Sequence, residues 1–316
     1  MLIVTGGAGF IGSNLVRALN DRGDTNILIV DRIGENFRNL SGLRFADFME
    51  PETMLLAIER RTMPPSVEAI FHQGACADTT ETDGHYMMEN NFRFSRELLH
   101  FALDRRAPMV YASSASVYGA SRGTAVNPAN ERPLNLYAFS KLAFDNLVRH
   151  VAHRTERGAG STIVGLRYFN VYGPHEEHKG KMASMPYQLH HQLRDTGVAR
   201  LFSGTDGYPD GEQRRDFVFV EDVVNVNLHF AGQSAHPQVI LNVGTGISRS
   251  FNETTQILIK LRGGAGKIEY FPFDERLKGK YQSYTQADLE ALRAAGYTAE
   301  FTPLEQGLAQ SVAAWG

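Results

Sequence analysis

The stretch from Met1 to Asp31 constrains the fold of this chain more than any other. Leu2-Ile3-Val4 is an apolar run long enough for a buried strand. Thr5-Gly6-Gly7-Ala8-Gly9-Phe10-Ile11-Gly12 then turns the chain, and Ser13 to Asn20 carries Leu15, Val16 and Leu19 at helical spacing. Ile27-Leu28-Ile29-Val30 reads as a second buried strand, with Asp31 at its C-terminal end. Strand, glycine turn, helix, strand and acid in this order predict a βαβ unit that binds a dinucleotide. Gly6 permits the tight turn, Gly9 lets the backbone approach a pyrophosphate, and Gly12 lets the helix pack closely. The helix start, with Phe10 and Ile11, offers unpaired amides and a positive dipole end to phosphate.

Downstream, the alternation continues. Strands are predicted at Leu43–Asp47, Val67–His72, Met109–Ser114 and Ile163–Tyr168, and helices at Met54–Arg61, His85–Arg105 and Asn135–Val151. Arg32 to Gly42 reads as a loop, and Asn90 and Asn91 interrupt a helical face where one of them should bond something specific. The run Gln73-Gly74-Ala75-Cys76-Ala77 follows a strand end, where small residues let a cofactor lie close. Beyond Pro174 the pattern breaks up, returning to strand character at Phe217–Val220 and Val239–Val243 and closing with a helix at Leu304–Trp315. The expected fold class is α/β, a Rossmann-type doubly wound parallel sheet with a smaller C-terminal substrate-binding lobe. Its boundaries interleave: residues 1–169 plus about 217–245 for the dinucleotide, about 170–216 plus 246–316 for the substrate.

The 316 residues carry a formal net charge of −3, so no basic field points to nucleic acid or an anionic membrane. The single cysteine, Cys76, excludes an internal disulfide framework and reads as a packing residue. No apolar stretch approaches the length of a membrane span and no signal segment precedes the first strand, so a cytoplasmic protein is expected. His175, Glu176, Glu177 and His178 hint at a metal, but His-x-x-His without a helix is a weak pattern, and no metal is expected.

Tyr137 and Lys141 stand one helical turn apart, on one face. A lysine ammonium beside a phenol favours the phenolate, which would lower the tyrosine pKa. Ser114, at a strand end, can hydrogen-bond the same substrate oxygen. Together they could remove a hydroxyl proton while the carbon is oxidised.

These motifs, with Ser113-Ser114-Ala115-Ser116-Val117-Tyr118-Gly119 and Arg167-Tyr168-Phe169-Asn170-Val171-Tyr172-Gly173-Pro174, resemble the nucleotide-sugar branch of the extended short-chain dehydrogenase/reductase family. Phe71–Cys76, Asp83–Asn91, His178–Ser184, Arg214–Val218 and Leu277–Gln282 are similar to the heptose epimerases within it. The resemblance implies an isomerase acting on ADP-heptose for lipopolysaccharide, through transient oxidation at C6. Epimerisation needs acid/base groups on both faces of that carbon. The resemblance gives one role to Tyr137, supported by Lys141 and Ser114, and the other to Lys179. It implies cofactor contacts at Gly6, Gly9, Phe10, Ile11, Gly12, Asp31, Arg32, Gln73, Gly74, Ala75, Cys76, Ala77, Asn90, Tyr137, Lys141 and Val171. Substrate contacts are implied at Asn170, Lys181, Gln188, Phe202, Ser203, Gly204, Thr205, Arg215 and Tyr281, with Arg215 on the diphosphate. A homo-oligomer, as a pentamer, is also implied.

The chain departs from the family at Pro51, where members have a cofactor-side lysine, at Gln188, where they have a histidine, and in a longer loop from Thr205 to Gln213. NADP is the implied cofactor and NAD the alternative, because Asp31 repels a 2′-phosphate while Arg32 and Arg38 could accept one. A sugar-nucleotide dehydratase is disfavoured, since Ala115-Ser116 stands where its Asp-Glu belongs. A UDP-hexose 4-epimerase lacks the His178-Lys179-Gly180 context. A non-catalytic dinucleotide sensor would tend to lose the Tyr137–Lys141 pair.

Overall fold

The computed structural model describes residues 1–154, 161–232, 239–274 and 281–316. β1 (Leu2–Thr5) leads through the glycine turn into α1 (Phe10–Asp21) and back to β2 (Ile27–Val30). β3 (Asp47–Met49), α2 (Pro51–Glu59) and β4 (Ala69–His72) follow. Next come α3 (Gly84–Met88), a π-turn (Glu89–Arg93), α4 (Phe94–Arg105), β5 (Met109–Ser114), α5 (Leu136–Arg154) and β6 (Ile163–Tyr168).

These strands, with β10 (Val239–Val243), make one parallel sheet in the order β10-β6-β5-β4-β1-β2-β3. Parallel strands are buried on both faces, which is why β2 is apolar at every position. Successive residues serve opposite cores: Val4, Ile29 and Phe71 face α1 and its neighbours, whereas Ile3, Leu28 and Ile70 face α4 and α5. Strand order reverses between β1 and β4, and this switch point opens a crevice beyond their C-terminal ends.

Only one residue, Phe169, separates β6 from β7 (Asn170–Tyr172), which leaves the main sheet. β7 joins a three-stranded sheet, β11-β9-β7, with β9 (Arg214–Phe219) parallel to it and β11 (Ser248–Ser250) antiparallel to β9. Around it pack α6 (Met185–Thr196), α7 (Val220–Ala231), α8 (Phe251–Leu261) and α10 (Leu304–Trp315), while α9 (Glu290–Ala294) packs against β10 of the main sheet. β8 (Val198–Phe202) and β12 (Lys267–Phe271) form a parallel pair.

Three sequence expectations need adjusting. The third strand is Asp47–Met49 rather than Leu43–Asp47: Leu43 packs onto the core from the loop, and pairing with β2 begins only at Asp47. The loop after Asp31 contains a 3-10 turn, Glu35–Leu40. The helix expected over His85–Arg105 is interrupted by the π-turn, where Asn91 turns inward and bonds the backbone of Cys76 through both its oxygen (2.8 Å) and its nitrogen (2.9 Å).

Candidate active site

Two connected stretches of the crevice line up above the switch point. The smaller chamber, about 360 Å³, lies between the glycine turn, the end of β2 and the π-turn. The larger, about 640 Å³, runs from β5 and α5 across to the turn after β7 and on to β8 and β9.

The glycine turn is shaped for a bound group rather than for side chains. Gly6 has φ +67°, and a Cβ there would stand 2.6 Å from the Gly74 amide. A Cβ on Gly12 would come within 2.0 Å of the Gly6 carbonyl oxygen, so Gly12 protects the turn itself more than the strand behind it. No side chain caps the start of α1 and no acid lies in its first turn, leaving its amides to an anion. Asp31 braces this cradle by accepting from the Ala8 amide (2.9 Å), and burial lifts its pKa above the usual carboxylate value. These features fit a dinucleotide.

Tyr137 and Lys141 project from the first turns of α5 into the larger chamber, beside Ser114. Buried Arg167 on β6 fixes that helix through Asp145 (2.8 Å), one turn beyond Lys141, while Tyr111 and Ser113 donate to the same carboxylate. Lys141 donates to the Ala112 carbonyl (2.9 Å), 5.9 Å from the Tyr137 ring centre. The expected lowering of the phenol pKa meets a stronger effect. Burial raises Tyr137 above its ordinary value, with a Ser114 hydrogen bond opposing, and brings Lys141 down to about 8.

Lys179 lines the same chamber from a 3-10 turn (Glu177–Met182), with its ammonium 5.2 Å from the centre of the Phe10 ring. Arg215, on β9, lies between Phe251 and Tyr281, 5.4 and 4.9 Å from their ring centres. A buried guanidinium flanked by aromatic rings suits a diphosphate and an adjoining flat base.

Gly6, Asp31, Arg32, Gly74, Cys76 and Asn90 line the smaller chamber, and Ala75 lines both. Phe10, Ile11, Gln73, Ala77, Val171, Asn170, Gln188, Phe202, Arg215 and Tyr281 line the larger. Gly9 and Gly12 lie outside the lining, within the turn and helix start. Lys181, Ser203, Gly204 and Thr205 do not line it either. Lys181 is exposed on the turn, the Ser203 amide bonds Phe271 (2.8 Å), and the Gly204 amide bonds Asp210 within its own loop (2.7 Å). Residues 277–280 of the segment matched at Leu277–Gln282 are outside the described residues.

Sequence reasoning missed Arg200, Gln192, Phe251 and Phe271, which also line the chamber. No short-range pattern marks them, because they come from separate elements. The histidine patch disperses: His175 bonds Ser13 (2.9 Å) and Arg17 (2.5 Å), whereas His178 meets Asn39 (3.2 Å). Among the described residues no group of three or more His, Cys, Asp or Glu could hold a metal, and no helix is long and apolar enough to cross a membrane.

A doubly wound sheet with a glycine cradle at its switch point and Ser114, Tyr137 and Lys141 lining the adjoining chamber fits a nicotinamide-dependent enzyme. The chain belongs to the NAD dependent epimerase/dehydratase family, whose model matches residues 2–244. It is 52% identical over 312 residues to the ADP-L-glycero-D-manno-heptose-6-epimerase of Alkalilimnicola ehrlichii, covering 98% of this chain and 95% of that protein. The enzyme of the same name from Thiobacillus denitrificans is 49% identical over 329 residues, covering 98% and 97%. The crystal structure of Helicobacter pylori ADP-L-glycero-D-manno-heptose-6-epimerase superposes with a TM-score of 0.84 at 32% identity, covering 99% of this chain and 95% of that one.

Proposed function

We propose that this chain converts ADP-D-glycero-β-D-manno-heptose to its L-glycero epimer at C6. One observation carries the reading: Tyr137 from α5, Lys179 from the turn after β7 and Arg215 from β9 all line a single cleft. Inverting a secondary alcohol by oxidation and reduction requires an acid/base group on each face of the carbon. When bound, the nicotinamide accepts two electrons and returns them within one cycle, so no net oxidation results. Ser114 and Tyr137 hold the C6 oxygen, and Tyr137 takes its proton in one orientation of the sugar. Lys141 holds positive charge beside the phenol. Lys179 exchanges the proton from the other face, and Arg215 retains the diphosphate while the sugar turns.

The resemblance implies NADP, but the ribose end of the smaller chamber supports NAD as the tighter ligand. Asp31 stands there, and the Arg32 guanidinium is already engaged by Glu52 and by Asn90 (2.9 Å). A 2′-phosphate would have to displace Glu52 from Arg32 against two carboxylates.

The same reading carries a division of labour: residues 1–169 with about 217–245 bind the dinucleotide, and about 170–216 with 246–316 the sugar nucleotide. β10 supports it by completing the main sheet, whereas β9, which straddles the boundary at residue 217, pairs with β7 and β11. It also carries heptose supply to the lipopolysaccharide inner core, a cytoplasmic site, and a homo-oligomer of five subunits, which sedimentation would test.

Proton NMR of the D-glycero substrate with purified protein and no added cofactor tests the function. Wild type should yield the 6-epimer and Tyr137→Phe and Lys179→Met should not. No turnover after NAD and NADP are both supplied would exclude the heptose substrate, and turnover of UDP-galactose would favour a 4-epimerase.

A further inference from the structure

Glu176 is fully buried and plays no part in the chemistry above. It lies three residues before Lys179, and the Lys179 amide donates to its carbonyl (3.0 Å). Its carboxylate accepts from the Gly173 amide (3.2 Å), the Ser184 amide (2.6 Å) and the Ser184 hydroxyl (2.9 Å). Gly173 and Ser184 are the two ends of the segment that bears Lys179. A single side chain therefore closes the loop on itself.

Burying a carboxylate is costly unless donors or a cation stabilise it. The three donors supply part of that stabilisation, and the Lys179 ammonium, itself mostly buried, supplies charge. The other charged or titratable groups around it are Glu177 and His178 on the same turn, Tyr187 on α6, and His175, which is held by Arg17 on α1.

We propose that Glu176 is the positioning residue of Lys179: its buried carboxyl clamps the turn from residue 173 to residue 184 and, when ionised, places a negative charge near the lysine that the turn carries. The inference rests on the reading of Lys179 as the second acid/base group. Burial pushes the Glu176 carboxyl up to about 7, and Lys179 opposes the shift. Burial lowers the Lys179 pKa and Glu176 raises it back.

Glu176→Gln keeps the shape and removes the charge. It should lower kcat about tenfold or more, leave KM for the ADP-sugar nearly unchanged, and move the alkaline limb of the kcat–pH profile to lower pH. A merely structural role would lower the amount of folded enzyme without moving that limb. Should Glu176→Gln not fold, Glu176→Asp decides: it retains the charge but shortens the reach, so kcat should fall while the limb stays in place. A wild-type profile in Glu176→Gln, or a displaced limb in Glu176→Asp, overturns the proposal. Retained turnover in Lys179→Met instead defeats the reading of Lys179. Loss there, combined with an unmoved profile in Glu176→Gln, defeats only the role of Glu176.

Discussion

The glycine turn after β1 and the turn after β7 meet where Lys179 covers Phe10, yet they hold their shapes by opposite means. The first is a short local motif. A missing Cβ makes room at Gly12 for the Gly6 carbonyl and at Gly6 for the backbone of Gly74, which packs on the turn from beyond β4. The second has no repeating pattern. A buried carboxylate ties its ends, while Asn39 reaches His178 and the His175 carbonyl from a distant loop. A cradle made of backbone tolerates little added volume, whereas a turn held by side chains depends on their polar groups.

The largest expected effect separates chemistry from scaffold on the second side. Lys179→Met should reduce kcat ~10²–10⁴-fold while leaving Tm and the cofactor carried through purification unchanged. A fall in both would move Lys179 from the reaction to the fold. On the first side the order reverses. Gly12→Ala should destabilise the protein by about 1–3 kcal/mol and empty it of cofactor, as seen in the absorbance and fluorescence of the purified protein. Retained cofactor with an unchanged Tm would show that the turn yields more than its 2.0 Å clearance allows.

Acid should then pull the two regions in opposite directions. His72, at the end of β4, is buried between Thr5 (2.6 Å) and Ser95 (2.7 Å), and burial brings its pKa down to about 3. The unfolded chain binds a proton near pH 6.5 that the folded chain refuses, so His72 costs stability progressively as pH falls from about 6.5 toward 3. Glu176, raised to about 7, binds a proton in the folded chain before the unfolded one does, so stability rises as pH falls from about 7 to 4.5. Each slope is at most ~1.4 kcal/mol per pH unit. His72→Gln should therefore flatten the loss of Tm on acidification, and Glu176→Gln should steepen it. Parallel curves for both variants would remove this account.

The smallest effect is expected at the ribose end. The Arg32–Glu52 pair is half-exposed, and such pairs are weak. Glu52→Gln should shift the NADP-to-NAD ratio of dissociation constants toward NADP by roughly two- to fivefold, and Arg32→Ala should shift it the other way. An unchanged ratio in both would assign cofactor choice to other residues.

Much of the dinucleotide wall was legible beforehand because its signals are local: the run of apolar residues in β2, the glycines at positions 6, 9 and 12, and Tyr137 with Lys141 one turn apart. The third strand was misplaced because Leu43 is apolar for packing from a loop, and hydropathy alone does not separate that from pairing. Asn91 read as an irregularity in a helix, but its partner, the Cys76 backbone, is fifteen residues away and lies beyond any local pattern. Glu176 looked like part of a polar, metal-like patch. Its role appears only when Gly173 and Ser184 are brought to the same carboxylate.

By itself, then, the sequence determined the parallel sheet, the glycine turn and the spacing of Tyr137 and Lys141 on one helical face, since these follow from periodicities of two and of about 3.6 residues and from backbone sterics. Tertiary structure alone decided which residues face one another across the cleft. Lys179 over Phe10, Arg215 between Phe251 and Tyr281, and Arg32 held by Glu52 join residues separated by tens to well over a hundred positions. Contacts of that range depend on how sheets and helices pack together, and no local propensity encodes them.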